Sequence, residues 1–219
     1  MKRQDRSRRC QGTFERELAA AERRLGFRLD SSAAVQRFLD TLPYSTDDFY
    51  RSPLRVLRDR TAHCFDGAVF AAAALRRIGQ PPRILDLFAD GRDDEHLLAL
   101  FRVEGCWGAV AKSNFVGLRY REPVYRSLRE LAMSYFESYY NLTREKTLRG
   151  YTGPLALKGF DRLNWTENDA AMEEIARRTD RIRKVRLIDA RMERRLSPVD
   201  ERSFRAGLLG ADPRGLFQP

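Results

Sequence analysis

Residues 62–78 are small or apolar on nearly every side. Val69, Ala72, Ala73, Ala74, Leu75 and Ile78 follow Gly67 and Ala68. A helix that is apolar all round has to be buried, so the rest of the chain must supply layers to cover it. Gly79 stops the helix and Pro81-Pro82 prevents its continuation. Three strand patterns follow at once, over 83–89, 96–103 and 106–112. Asp90-Gly91-Arg92-Asp93-Asp94 forms a polar turn between the first two, and Glu104-Gly105 a tight connection between the last two. A buried helix feeding three apolar strands, the last two a hairpin, is therefore the expected centre of the fold.

The flanks supply more helices. Residues 13–26 read as a helix with Thr13 as N-cap and Gly26 as its stop, and residues 31–42 as a second one capped at Ser31 or Ser32 and ended by Pro43. The 43–58 stretch reads as loop and short helix. Beyond the sheet, 126–140 reads as a helix, 150–165 as an aromatic loop, 166–181 as a helix capped at Thr166, and 184–188 as a strand. The expected organisation is a basic flexible N-terminus over 1–12, one domain over 13–197, and an irregular tail over 198–219 rich in Gly and Pro.

Of the 219 residues, 42% are apolar, enough for a folded core. No run approaches the ~18–20 apolar residues of a membrane span, and no apolar segment follows the basic N-terminus, so neither a membrane partner nor a secretory signal is expected. Three cysteines, Cys10, Cys64 and Cys106, have no metal-ligand spacing. That argues against a disulfide framework and a zinc site, and for a reducing, cytoplasmic setting without cofactor or metal. The net charge of +10 is mostly arginine, scattered among 31 acids along the chain. Such interleaving fits a solvated surface better than a nucleic-acid footprint, and an Arg-driven nucleic-acid binder is the least favoured reading.

The chemistry centres on Cys64. With Thr61 as N-cap, it falls in the first turn of the buried helix. There, unpaired backbone N–H groups and the helix dipole favour a thiolate. A free cysteine also packs like a small hydrophobe, so a partner base decides between the two. His96 opens the second strand pattern and is the candidate base. His63 is adjacent to Cys64, points elsewhere on a helix and reads as structural. A loop after the third strand pattern carries Lys112, Ser113, Asn114, Arg119, Tyr120 and Arg121 and could wall a substrate cleft, with the arginines taking an anionic group. The aromatic stretch 135–140 reads as helix core.

The segment of about 61–114 resembles the transglutaminase-like superfamily of the papain-like cysteine hydrolases. The resemblance rests on Cys64 opening a helix, Leu75-Arg76-Arg77-Ile78-Gly79 at its end, Pro81-Pro82-Arg83 leading into a strand, His96 beginning the next, and Trp107 in the one after. It covers about a quarter of the chain. It implies an α+β fold: a papain-like core with a Cys-bearing helix packed on an antiparallel sheet and additional helices at both ends. It further implies a Cys-His-Asp triad with Cys64 and His96 as its first two members, Trp107 in the substrate wall, and a protein, peptide or small amide as substrate. The family's Asp position, four residues beyond the Trp, is Ala111 here. Asn114 and then Ser113 are the nearest substitutes. Hydrolysis is favoured over cross-linking, since nothing marks a second amine site. The alternative is a catalytically inactive binding module of the same fold. The Cys64 backbone N–H is a natural oxyanion donor, and Tyr44 or Tyr50 could supply another. Oligomeric state is left open.

Overall fold

The computed structural model describes residues 12–218. The basic run within 2–9, and all but the last residue of the expected 1–12 flexible segment, lie outside the described residues. The sheet is antiparallel throughout, in the order β4-β3-β2-β1-β5-β7, with a short β6 also paired to β1. Its strands are β1 Arg83–Ala89, β2 His96–Val103, β3 Cys106–Val110, β4 Arg121–Tyr125, β5 Leu148–Thr152, β6 Leu155–Ala156 and β7 Lys184–Arg186. The expected β1 and β2 segments match these bounds. Val103 pairs with Cys106 across Glu104 (φ 49°) and Gly105 (φ 83°). Two consecutive left-handed residues make the tight hairpin turn whose twist matches its strands.

Both faces of the sheet are covered. On one side α4 (Cys64–Arg77) packs on β2 and β1, backed by α1 (Thr13–Leu25), α2 (Ser32–Asp40) and α3 (Pro53–Asp59). Ile84, Leu97, Ala99, Phe101 and Val110 point into that layer, where Val69 and Phe70 of α4 are fully buried. On the other side Leu85, Leu87, Leu98, Leu100 and Ala109 meet Leu131 of α5 (Leu128–Met133) and Tyr135 and Tyr139 beyond it. Burial on both faces explains why β2 reads as an unbroken apolar run rather than an alternating one.

Several expectations are corrected. The N-cap of α1 is Gly12, which has no side chain to offer, and the Phe14 N–H is met instead by Glu167 at 2.8 Å. The helix expected over 126–140 ends at Met133 and becomes a single 3-10 turn at Phe136–Ser138. Its aromatic residues are core, but from irregular backbone. The expected loop over 150–165 contains the end of β5, then β6 and a 3-10 stretch at Leu157–Leu163, and the next helix, α6 (Ala170–Asp180), starts later than the expected Thr166. β4 lies inside what reads as a loop. The 198–219 stretch is not an irregular tail. It contains α8 (Glu201–Gly207) and a 3-10 turn at Pro213–Gly215, and α8 is pinned by the Tyr140 hydroxyl donating to the Ser203 carbonyl at 3.0 Å. A four-residue helix, α7 (Ala190–Glu193), completes the set. Among the described residues, no helix is long and apolar enough to cross a membrane.

Candidate active site

α4 begins at Cys64 because His63, not Thr61, caps it. The His63 Nδ1 accepts the Phe65 N–H at 3.2 Å, and the Asp66 carboxylate returns a bond to the His63 N–H at 3.4 Å, closing a capping box. The box satisfies backbone donors that a helix start leaves open. Burial and the nearby Arg51 hold the His63 pKa down to about 4, so the ring is neutral and free to accept. Asp66 is fully buried and also takes the Arg51 N–H at 2.7 Å, yet desolvation pushes its pKa up to about 7. Arg51, itself buried, ties this helix start to Ser45, Asp47 and Asp59.

The segment before α3 runs beside this helix start. Tyr44 bridges Ala62 in parallel fashion, with Ser45 donating to the Ala62 carbonyl at 3.1 Å. That bridge sets the Tyr44 phenol against Cys64, where it feels both the backbone N–H and the thiol of that residue. Close packing beneath the turn requires Gly67, where a Cβ would come within 2.3 Å of Lys112 Cβ.

His96 is the first residue of β2, with 5% of its surface exposed. The turn before it is held at each residue. Thr147 donates to Asp93 at 2.6 Å, Tyr139 to the Asp94 carbonyl at 2.5 Å, and Lys184 to Glu95 at 2.9 Å. The His96 Nε2 lies 2.7 Å from the Leu118 carbonyl oxygen. A carbonyl only accepts, so Nε2 carries the proton and Nδ1 keeps a lone pair. Burial, with the Arg121 charge adding to it, pushes the His96 pKa down to about 4, although the Leu118 bond acts the other way.

Cys64 and His96 line the same small cavity, about 50 Å³, together with Tyr44, Ser113, Asn114, Leu118, Tyr139 and Phe217. It adjoins a larger cleft of about 490 Å³ that also reaches Cys64 and is walled by Tyr44, Tyr50, His63, Thr179 and residues 214–217. The two side chains share a wall, but the thiol is directed at the Glu95 carbonyl, 3.8 Å away, and not at the imidazole. Desolvation opposes the helix-start argument for an acidic thiol. Burial pushes the Cys64 pKa up to about 12, and Asp94, Asp86 and Asp66 add to it, outweighing a backbone hydrogen bond from Leu97. The helix dipole contributes a fraction of a charge, whereas desolvation acts on the whole thiolate.

The remaining expected site residues are spread by the fold. Asn114 and Ser113 do not orient His96. Asn114 is engaged by the backbone of Asp212, and Ser113 accepts the Phe115 N–H at 3.0 Å. The Leu118 carbonyl takes the place expected of a carboxylate or amide. Trp107 lies near the far end of the hairpin, under Arg102 at 4.6 Å. Lys112 turns inward to the Leu39 carbonyl at 3.0 Å and the Leu42 carbonyl, closing the end of α2, and burial lowers its pKa to about 8. Tyr120 stacks on Phe101 and meets Ser32 at 3.0 Å. Arg121 spans Ser134 and the Gly117 carbonyl while lying 3.8 Å over the Tyr135 ring. Of the two arginines, Arg119 alone borders a cleft, and it is paired with Asp40 at 3.1 Å. Ala111, at the position of the missing Asp, is fixed by Gln36 through both its N–H and its carbonyl. Sequence reasoning missed the Leu118 carbonyl, which no side chain announces, and residues 214–217 as a wall of the site.

No family model matches the chain, and no curated protein matches it. Among solved structures, Legionella pneumophila LapG is similar at 15% identity and a TM-score of 0.40, over 75% of this chain and 91% of that chain. Its EGTA-treated form gives 16%, 0.38, 75% and 91%, and its calcium-bound form 16%, 0.38, 68% and 82%. At these values the likeness assigns no role to any residue here.

Proposed function

We propose that this is a cysteine-dependent acyl-transfer protein of papain-like, transglutaminase-like architecture, acting on an amide or ester carbonyl with Cys64 as nucleophile and His96 as base. One observation carries the reading. The first residue of a buried helix is a cysteine, the first residue of the strand beneath it is a histidine, both line one cavity, and the Leu118 bond leaves the histidine Nδ1 with a lone pair to accept a proton. The thiol proton passes to Nδ1 and the sulfur forms a bond to the substrate carbonyl carbon. The resulting oxyanion takes the Cys64 N–H and the Tyr44 hydroxyl as donors. The imidazolium returns its proton to the leaving group, a thioester remains on Cys64, and water activated by His96 releases it.

A probe that needs no knowledge of the substrate is p-nitrophenyl acetate. The expected result is a burst of nitrophenol with one acetyl group on the Cys64 peptide. Cys64→Ala abolishes the burst and His96→Ala slows it by about 10²-fold or more. A burst that persists in Cys64→Ala overturns the assignment.

A second reading, an inactive binding module of the same fold, draws support from Ala111 at the Asp position and from a thiol pushed up to about 12. It predicts no acetyl adduct on Cys64 from p-nitrophenyl acetate, with intact folding. Cytoplasmic residence and a protein, peptide or small amide substrate belong to the first reading as proposals. Paired arginines such as Arg76 with Asp161, Arg92 with Asp90 and Arg144 with Glu201 lend little to a nucleic-acid role.

A further inference from the structure

Residues 214–217 wall the Cys64 cleft, and Asp212 just before them anchors the segment by contacts that read backbone rather than side chain. The Asn114 carboxamide pairs with Asp212 twice. Its Nδ2 donates to the Asp212 carbonyl and its Oδ1 accepts the Asp212 N–H, each at 2.8 Å. Asp212 then caps a tight turn by accepting the Arg214 N–H at 3.0 Å, and Gly215 donates back to the Asp212 carbonyl at 3.0 Å. At Gly215 the chain presses on the Tyr44 ring. A Cβ there would come within 2.6 Å of the Tyr44 ring and 3.1 Å of Asn114 Nδ2. Phe217 follows and forms part of the wall of both cavities that contain Cys64.

We propose that Asn114 and Tyr44 form a peptide clamp for a turn of the type Asp-Pro-x-Gly followed by a large apolar residue, and that the chain's own Asp212-Pro213-Arg214-Gly215-Leu216-Phe217 fills it in cis. The proposal deepens the acyl-transfer reading by giving its cleft a ligand class, and rests on that reading only for the statement that the cleft is the substrate's. Recognition comes from three features that a generic surface contact lacks. A carboxamide matches one residue's N–H and C=O at the same time. Proline at the second turn position presets φ and lowers the ordering cost. A glycine is required where the backbone meets a ring. The same contacts make the segment a competitor. While it is seated, an incoming peptide finds the Asn114 amide occupied, and Phe217 and Tyr44 narrow the cavities that reach the thiol.

The test uses the full-length chain and follows alkylation of Cys64 by iodoacetamide, resolved by peptide mass spectrometry, with Cys106 as an internal control. Alkylation reports access to the thiol and not catalysis, so the clamp and the dyad can fail separately. Gly215→Val and Asn114→Ala are each expected to raise the Cys64 rate about tenfold or more while leaving Cys106 unchanged. A synthetic peptide of residues 208–218 at about 1 mM is expected to restore protection to Gly215→Val, where Asn114 remains, and not to Asn114→Ala. His96→Ala should leave these effects in place. Unchanged Cys64 rates in both variants overturn the proposal, as does equal protection of both by the peptide. A parallel rise at Cys106 would mark general loosening and also counts against it.

Discussion

At the scale of single residues, the site is a study in competing electrostatics. Cys64 has the helix start that should make it acidic, and desolvation reinforced by three carboxylates that makes it the opposite, although the residue is only half-buried. With the pKa pushed up to about 12, the thiolate fraction rises tenfold per pH unit throughout the neutral range. Alkylation of Cys64 in the intact chain should therefore climb about a hundredfold between pH 7 and pH 9, with no plateau. A plateau near neutrality would mean that the imidazole already holds the proton. His96 was legible as a candidate because it opens an apolar strand after three acids. Its orienting partner was not, because the Leu118 carbonyl belongs to the backbone and is delivered by a 3-10 turn at Val116–Leu118. Trp107, Lys112, Tyr120 and Arg121 had suitable chemistry for a cleft wall. Packing assigned them instead to a stacking pair, a helix end, a ring stack and a turn.

At the scale of elements, β1, β2 and α4 were the most legible, since periodicity, a Gly stop and a hairpin turn agree with one another. The start of α4 was not. Thr61 is the better N-cap by propensity, but the parallel bridge between Tyr44 and Ala62 draws the preceding residues into extended backbone and moves the cap to His63. His63→Ala should lower stability by about 0.5–2 kcal/mol in a urea melt, and His63→Asn, which can cap the same way, should recover most of it. Equal losses from both substitutions would show that the ring's packing against Tyr50 and Phe65 matters more than the cap. The 126–140 stretch misled for a related reason. Its aromatic spacing suits a helix, but Tyr135 and Tyr139 donate to the Arg119 carbonyl and to the Leu87 and Asp94 carbonyls. Those tertiary bonds favour a broken path over a continuous helix.

At the scale of the whole molecule, the sheet buries a titratable group as well as apolar surface. Asp86 sits in β1 with 1% exposure, and its Oδ1 lacks a hydrogen-bond partner among the described residues. Burial, reinforced by Glu95 beside it, raises its pKa well above the carboxylate range. A group with a raised folded-state pKa binds more protons folded than unfolded. Its stabilising contribution is complete below the unfolded value and is lost as pH rises toward the folded one. The wild type should therefore lose stability relative to Asp86→Asn between pH 5 and pH 7, by at most about 1.4 kcal/mol per pH unit. A difference in melting temperature that does not change with pH would show that Asp86 stays charged in the fold.

By itself the sequence settled that a buried alanine-rich helix meets an apolar antiparallel sheet. It also marked a cysteine and a histidine as the residues most suited to chemistry. Those features are local: they depend on periodicity, turn residues and the behaviour of a helix end. The tertiary structure alone decided how the thiol ionises, which backbone carbonyl orients the imidazole, and that residues 214–217 wall the cleft. Desolvation and contacts between residues about a hundred positions apart are properties of packing, and no stretch of sequence encodes them on its own.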